Sequence, residues 1–249
     1  MKRFENLSII IATIDETDSL RKTVEILTQT CNRRDIKEII VVVCEKTTAE
    51  CMSVVGTLQN IAQNIPIRLY TQKEPGLGSA LNEAFSLAKG SHLVYVAADM
   101  DTDPFLVSVM VEKAKENPDA IILASRWLKG GGFEGYGAIN RLLNFVFQKL
   151  VQVIYCTKVS DLTYGYRIIP EDKLHSIVLE CRSPAIGLES NLKFIRLKYR
   201  FVEVPTLWKA RSQGKAQTTF FMKLKYTITV IKVRFATVES FKNKPKRES

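Results

Sequence analysis

The first 125 residues alternate between two hydrophobic periods. Five short runs rich in β-branched residues, at positions 7–12, 38–43, 67–70, 92–97 and 120–124, predict strands covered on both faces. Between them, residues 17–31, 47–64, 79–89 and 104–117 repeat apolar positions at helical spacing. This alternation predicts an α/β fold in which a mostly parallel sheet is flanked by helices. Such sheets bind ligands at the carboxyl ends of their strands.

After residue 126 the rhythm changes. The turn Gly130-Gly131-Gly132 leads into an apolar segment, residues 139–155, that carries Arg141, Gln148 and Lys149. Its length and charges fit an amphipathic helix rather than a spanning one. A strand-like run at 199–204 ends at Pro205, and the segment FFMKLKYTITVIKVRF, residues 220–235, interleaves aromatic and β-branched residues with cations. The expected organisation is one catalytic-type domain over residues 1–217 followed by a basic, amphipathic, membrane-facing tail at 218–249. The apolar run near the start is too short for the core of a signal peptide, and no stretch reaches the roughly 20 apolar residues of a spanning helix. A protein of the cytoplasm, or one bound peripherally to the cytoplasmic face of a membrane, is expected.

Composition narrows the classes. With 249 residues, 46% hydrophobic and 25% charged, the chain can bury one large core or two modest ones, which excludes a disordered or collagen-like chain. Thirty-six Lys and Arg against 26 Asp and Glu leave a net charge of +10, so an anionic partner is expected. Nine of these cations, against two glutamates, fall in residues 215–249. That tail reads as a solvated basic face, a nucleic-acid contact or a lipid contact. Phe220, Phe221, Met222, Tyr226 and Phe235 beside Lys223, Lys225, Lys232 and Arg234 favour the membrane interface over nucleic acid. Cys31, Cys44, Cys51, Cys156 and Cys181 form no CxxC pair, which argues for a reducing compartment and against structural zinc. With His92 and His175 as the two histidines, a histidine-based triad or metal centre is not expected.

The segment HLVYVAADMDTDP, residues 92–104, is the most informative. Asp99, Asp101 and Asp103 follow a buried-type strand, where alternate carboxylates suit a hard divalent cation such as Mg²⁺ or Mn²⁺ shared with the phosphates of a substrate. Asp103, before Pro104, reads instead as a helix cap. In Gly76-Leu77-Gly78 the missing side chains permit close backbone approach at a helix start, to an anion or simply within a turn.

In order and spacing, SIIIATIDE, EIIVVV, EPGLGSALNEAF and VAADMDTDP resemble the family 2 glycosyltransferases of GT-A fold. Later segments resemble the dolichol-phosphate mannosyltransferase and polyprenyl-phosphate glycosyltransferase branch: SRW with GGG at 125–132, Arg141 and Asn144, DLTYGYR at 161–167, Glu189, EVP at 203–205 and RSQGK at 211–215. The resemblance covers residues 7–217. It implies an inverting transferase that moves one sugar from a nucleotide-sugar donor to a polyprenyl or dolichyl phosphate, with Mg²⁺ or Mn²⁺ on Asp99 and Asp101. Donor contacts are then expected at Ala12, Thr13, Asp15, Glu16, Cys44, Gly76, Gly78, Ala97, Ala98 and Asp99. A lipid monophosphate is already anionic and needs orientation rather than deprotonation. Arg126, Arg141, Arg211 and Lys215 are therefore expected on the acceptor phosphate, since arginine grips phosphate with paired hydrogen bonds. Asp99, Asp101, Arg126, Asp161 and Arg211 are the expected catalytic set, with Asp161 orienting Arg141 or Arg167 or positioning the sugar.

Departures from the family pattern open two further readings. Val43 and Cys44 stand where aspartates are usual, and Ala97 replaces the first aspartate of the usual metal motif. A saccharide hydroxyl as acceptor and a catalytically inactive GT-A binding subunit are the alternatives.

Overall fold

The structure, a computed structural model, describes residues 3–62, 64–209 and 220–243. In chain order the first part comprises β1 (Leu7–Ala12), α1 (Asp18–Thr30), β2 (Ile36–Val43), α2 (Ala49–Ile61), β3 (Ile67–Thr71), α3 (Leu77–Leu87), β4 (His92–Tyr95), α4 (Leu106–Glu116) and β5 (Ile121–Ser125). There follow β6 (Gly132–Glu134), α5 (Ala138–Tyr155), β7 (Arg167–Pro170), α6 (Glu171–His175), α7 (Ile186–Arg196), β8 (Phe201–Pro205), β9 (Leu207–Lys209), α8 (Phe220–Phe235) and α9 (Val238–Phe241).

The main sheet has the order β3-β2-β1-β4-β7-β5-β8. Every neighbouring pair in it is parallel except those made by β7, which runs antiparallel to β4 and β5. The alternation of side chains across each strand supplies two cores. Ile9, Ile11, Ile39, Val41 and Val43 face α1, α2 and α4, while Ile10, Ile40 and Val42 face α3, α6 and α7. Each such side chain, fully removed from water, contributes about 1.5–3 kcal/mol before entropy is counted.

The sequence-based elements coincide with β1, β2, β3, β5, α1–α5 and β8 to within a few residues. The fourth strand is shorter than expected, because the chain leaves the sheet at Tyr95 and residues 96–104 form a loop. Two features escape the hydrophobic pattern. α7 is buried on nearly every face, with the buried polar residues Glu189, Ser190, Asn191 and Lys193 set among its apolar positions. β6 and β9 are three-residue strands that form a separate two-stranded sheet.

The expected division at residue 217 does not mark off a free appendage. Val230 and Val233 of α8 are buried in a cluster with Val151 of α5 and with Leu188 and Leu192 of α7. Phe241 is buried with α3, α6 and α7, and Ile177 bridges to Lys242. Arg196 of α7 donates to the carbonyls of Val233 and Ala236, fastening the last helices to the sheet layer. Among the described residues no helix is long and apolar enough to cross a membrane.

Two glycines test the backbone packing. Gly56 lies exposed inside α2 with nothing within 4 Å of a built Cβ, whereas at Gly90 that atom falls 2.5 Å from the Ser8 amide nitrogen. Gly56→Ala is expected to stabilise the protein by about 0.4–1 kcal/mol, and Gly90→Ala to destabilise it by about 1–3 kcal/mol, both read by urea unfolding. A pH effect follows from His92, which is buried at the foot of β4, donates from Nε2 to the Pro118 carbonyl at 3.0 Å and packs on Phe4. Burial holds its imidazole below the usual histidine range. The unfolded chain therefore takes up the proton first, so His92 contributes stability above the ordinary histidine range that is lost as pH falls through the lowered folded value. The unfolding midpoint is expected to drop between pH 7.5 and 5.5, and to drop less in His92→Phe.

Candidate active site

The loops that leave the carboxyl ends of β1 and β2 are tied into one rim. The Thr13 amide donates to the Val42 carbonyl at 3.0 Å, and the Thr48 amide donates to Ile14 O at 2.8 Å. Thr47 Oγ1 donates to Thr13 O at 3.2 Å and accepts from the Cys44 amide at 2.9 Å. Glu16 turns back on its own loop: Oε2 accepts from Thr13 Oγ1 at 2.8 Å and from the Ile14 amide at 2.9 Å. Its carboxylate shapes the turn, leaving exposed Asp15 and half-buried Ala12 and Cys44 as the groups at this rim.

At the exit of β4, Ala97 and Ala98 are buried and the Ala97 amide donates to Thr102 Oγ1 at 3.0 Å. Met100 has a φ of 60°, and the Asp101 amide donates to Asp99 Oδ1 at 3.1 Å. This left-handed turn sets Asp99 and Asp101 together on the loop. Asp103 caps the following turn, with Oδ1 accepting from the Phe105 amide at 3.0 Å, as expected. Tyr164 and Tyr166 brace the loop from the opposite side by donating to the carbonyls of Asp101 at 3.4 Å and Asp103 at 2.7 Å. Burial pushes both phenols well above their ordinary range, so they remain donors. Among the described residues no group of three or more His, Cys, Asp or Glu side chains gathers at one point. Two carboxylates on one turn fit a Mg²⁺- or Mn²⁺-type ion that completes its shell with substrate phosphate and water, rather than one caged by protein.

The second half of the site is a buried ion pair. Asp161, with no exposure, accepts from Arg126 Nε at 2.7 Å, Nη2 at 2.8 Å and the Arg126 amide at 3.1 Å. Arg126 Nη2 also donates to Thr163 Oγ1 at 3.0 Å. The guanidinium carbon lies 4.5 Å from the Tyr164 ring centre and 5.0 Å from that of Phe133. Burial opposes the Arg126 charge, but the Asp161 carboxylate outweighs it and holds the guanidinium above its usual value.

This geometry corrects two expectations. The paired edge of Arg126, Nε with Nη2, is taken by a carboxylate and so is not offered to an acceptor phosphate. Asp161 orients Arg126, not Arg141 or Arg167. Arg167 lies elsewhere in the interior, donating to Gly165 O and Ser190 Oγ, and burial lowers its guanidinium to about 10. Arg141, in contrast, is exposed on the first turn of α5, with its guanidinium 5.7 Å from the same Phe133 ring. Arg211 and Lys215 lie outside the described residues.

Gly76 and Gly78 are also explained internally. A Cβ on Gly76 would meet Arg182 O at 2.3 Å, one on Gly78 would meet Cys181 O at 2.0 Å, and the Gly78 amide donates to Arg182 O at 3.0 Å. The close approach is to the chain's own backbone, and the Gly78 amide is not left for an anion. Glu189 holds that same segment. Its carboxylate accepts from the amides of Glu180 and Cys181 and from Lys193 Nζ at 2.6 Å. Glu203 of the EVP segment accepts from the amide and hydroxyl of Ser160, fixing the residue before Asp161.

Sequence reasoning assigned Tyr164 to core packing rather than to a sugar or lipid path, and passed over Thr163, Phe133 and Gln148. Gln148 left a signal, the middle one of three amides, Asn144, Gln148 and Gln152, spaced four residues apart along α5. It is buried, with Nε2 donating to Asp161 Oδ1 at 3.0 Å and Thr163 Oγ1 at 2.8 Å.

Comparison with known proteins gives the family and the fold. Residues 8–178 match the family model described as glycosyl transferase family 2. Over 182 residues the chain is 24% identical to a dolichol-phosphate mannosyltransferase of Pyrococcus furiosus, covering 70% of this chain and 50% of that protein. Over 155 residues it is 25% identical to an undecaprenyl-phosphate mannosyltransferase of Micrococcus luteus, covering 60% of this chain and 63% of that one. The chain thus spans about half to two thirds of the length of these curated relatives. Glucosyl-3-phosphoglycerate synthase from Mycobacterium tuberculosis, solved with UDP, superposes with a TM-score of 0.70 at 13% identity, covering 92% of this chain and 80% of that one. The same enzyme solved with Mn²⁺, UDP and phosphoglyceric acid gives 0.67, covering 94% and 80%. These likenesses show the fold, a mostly parallel GT-A sheet flanked by helices. The chain belongs to glycosyl transferase family 2.

Proposed function

We propose that this protein transfers a single sugar, with inversion, from a nucleotide-sugar donor to a polyprenyl or dolichyl phosphate at the cytoplasmic face of a membrane. The observation that carries this reading is Arg141. It is an exposed cation at the start of a helix whose outer face is apolar, next to the Arg126–Asp161 pair. Ile139, Leu142, Val146, Leu150 and Val153 of α5 are all exposed, as are Ile228, Ile231 and Phe235 of α8. An exposed apolar stripe like that of α5 suits a lipid boundary. The names of the curated relatives, both polyprenyl-type phosphate mannosyltransferases, support the same acceptor.

Lys232 pairs with Glu180 at 3.2 Å and Arg234 Nε donates to Ile154 O at 3.2 Å, so both lean on the protein. The apolar face of α5 is the larger lipid-facing element.

In this reading Asp99 and Asp101 would hold Mg²⁺ or Mn²⁺, and the ion would supply charge neutralisation for a diphosphate leaving group. The rim of Ala12, Thr13, Asp15 and Cys44 borders the nucleoside. Arg141 orients the acceptor phosphate, and Arg126, neutralised and fixed by Asp161, packs against the same Phe133 ring. The acceptor is already anionic, so no carboxylate is needed to deprotonate it, and Asp161 is committed to Arg126. The structural neighbour solved with phosphoglyceric acid supports a second reading, in which the acceptor is the hydroxyl of a small phosphorylated molecule.

A panel of labelled nucleotide sugars, offered with polyprenyl phosphate, phosphorylated small hydroxyl acceptors or saccharides, separates these readings. Transfer to polyprenyl phosphate that is abolished by chelation and by Asp99→Asn is expected; transfer to a hydroxyl alone rejects the first reading. Absence of both transfer and metal-dependent donor binding would identify an inactive binding subunit. Arg141→Ala is expected to raise the acceptor KM about ten- to a hundred-fold with little change in donor KM, as loss of a charge-assisted contact would. The pair Leu142→Glu with Val153→Glu should cut co-sedimentation with anionic liposomes; unchanged binding would remove α5 from the membrane contact.

A further inference from the structure

α5 is an 18-residue helix whose buried side chains are Gln148 and Val151. It is therefore a surface element held to the site by very few inward-facing groups. Its far end is tied down by Gln152, whose Nε2 donates to Val159 O at 2.8 Å, and by Tyr155, whose hydroxyl donates to Val230 O at 2.8 Å. At the end nearer Arg141, Phe145 packs on Trp127 with ring centres 5.4 Å apart, and the buried polar link is Gln148.

The Gln148 amide is fully used. Its two short donor contacts go to Asp161 Oδ1 at 3.0 Å and Thr163 Oγ1 at 2.8 Å, and its Oε1 accepts from the Leu162 amide at 2.9 Å. The orientation is set by chemistry, because a flipped amide would turn its oxygen toward the Asp161 carboxylate and its NH₂ toward the Leu162 N–H. Asp161 in turn holds both nitrogens of the Arg126 edge, and Arg126 stacks on Tyr164, whose hydroxyl donates to the Asp101 carbonyl. One continuous set of polar contacts thus runs from α5 to the acidic turn.

We propose that Gln148 is a positioning residue for acceptor use: it locks α5, with Arg141 on it, to Asp161 and Arg126, so that the helix meeting the lipid and the fixed guanidinium keep one geometry. This rests on the reading of α5 and Arg141 as the acceptor side. The chemistry of the link is an amide–carboxylate pair beside an arginine, so it should tolerate exchange of the two partners. Gln148→Glu alone sets two carboxylates against each other, and Asp161→Asn alone removes the counter-charge of a buried arginine. The double exchange, Gln148→Glu with Asp161→Asn, restores one carboxylate, one amide and the net charge.

The test uses the full chain, polyprenyl phosphate vesicles and the donor selected by the panel. In Gln148→Leu, assayed well below its lowered melting temperature, kcat/KM for the acceptor is expected to fall about ten- to a hundred-fold while donor binding with Mn²⁺ stays near wild type; small misplacements of binding groups have effects of that size. The two single exchanges should each lose acceptor turnover and the double exchange recover a substantial part of it. If wild type does not use polyprenyl phosphate at all, the acceptor reading itself fails. If wild type does so and Gln148→Leu matches it, or loses donor and acceptor terms together, or the double exchange is no better than the singles, the positioning role of Gln148 is overturned.

Discussion

The buried pair of Arg126 and Asp161 is the constraint on which the rest of the site depends. An unpaired guanidinium in this position would carry a desolvation cost of several kcal/mol, and removing one partner of such a pair typically costs about 3–5 kcal/mol. Asp161 therefore has to be where it is, and the chain places it there with Glu203 behind Ser160 and Gln148 beside it. Tyr164 and Phe133 close over the faces of Arg126, and Tyr164 also touches the acidic turn after β4. Two groups of opposite charge, the aspartate turn and the arginine cluster, are thereby held in a fixed relation. A donor diphosphate with its cation and an acceptor phosphate would need that separation of charge.

The scaffold explains why the remaining groups lie where they do. Parallel strands deliver the loops after β1, β2 and β4 to one edge of the sheet, and β7, inserted antiparallel between β4 and β5, begins immediately after the DLTYGY loop. The loop bearing Asp161 and the tyrosines thus leads into the strand beside the one that ends at the acidic turn. On the other side of the sheet, Glu189 and Lys193 fix the segment that packs against Gly76 and Gly78. Those glycines maintain backbone packing there, which is a structural use of a motif that reads equally well as a ligand cradle.

The doubly covered strands were legible because burial of β-branched residues on both faces leaves an almost continuous apolar run, as in IIVVV of β2. The acidic turn was legible because aspartates directly after such a run have few structural uses, and Asp103 was separable from the others by the proline that follows it. α7 was not legible: Glu189, Ser190, Asn191 and Lys193 are buried with hydrogen-bonding partners and not by hydrophobicity, so the polar positions that normally mark a helix's outer face lie inside. The partner of Arg126 was hidden for a related reason. Thirty-five residues separate it from Asp161, and a sequence records which charges exist but not which carboxylate reaches which arginine. Gly76 and Gly78 show the same limit, since the carbonyls they accommodate belong to residues 181–182.

In the proposed reading the two arginines divide the work: Arg126 is neutralised and fixed by Asp161, while the exposed Arg141 would meet the acceptor anion. Equilibrium binding of a short-chain polyprenyl phosphate and of the matching polyprenyl alcohol, to the protein loaded with Mn²⁺ and nucleoside diphosphate, tests this division most directly. The phosphate is expected to bind about ten-fold or more tightly than the alcohol, a difference of about 1.4 kcal/mol or more, and Arg141→Ala to erase most of this preference. Equal affinity for phosphate and alcohol in the wild-type protein, or a preference that survives Arg141→Ala intact, would contradict it.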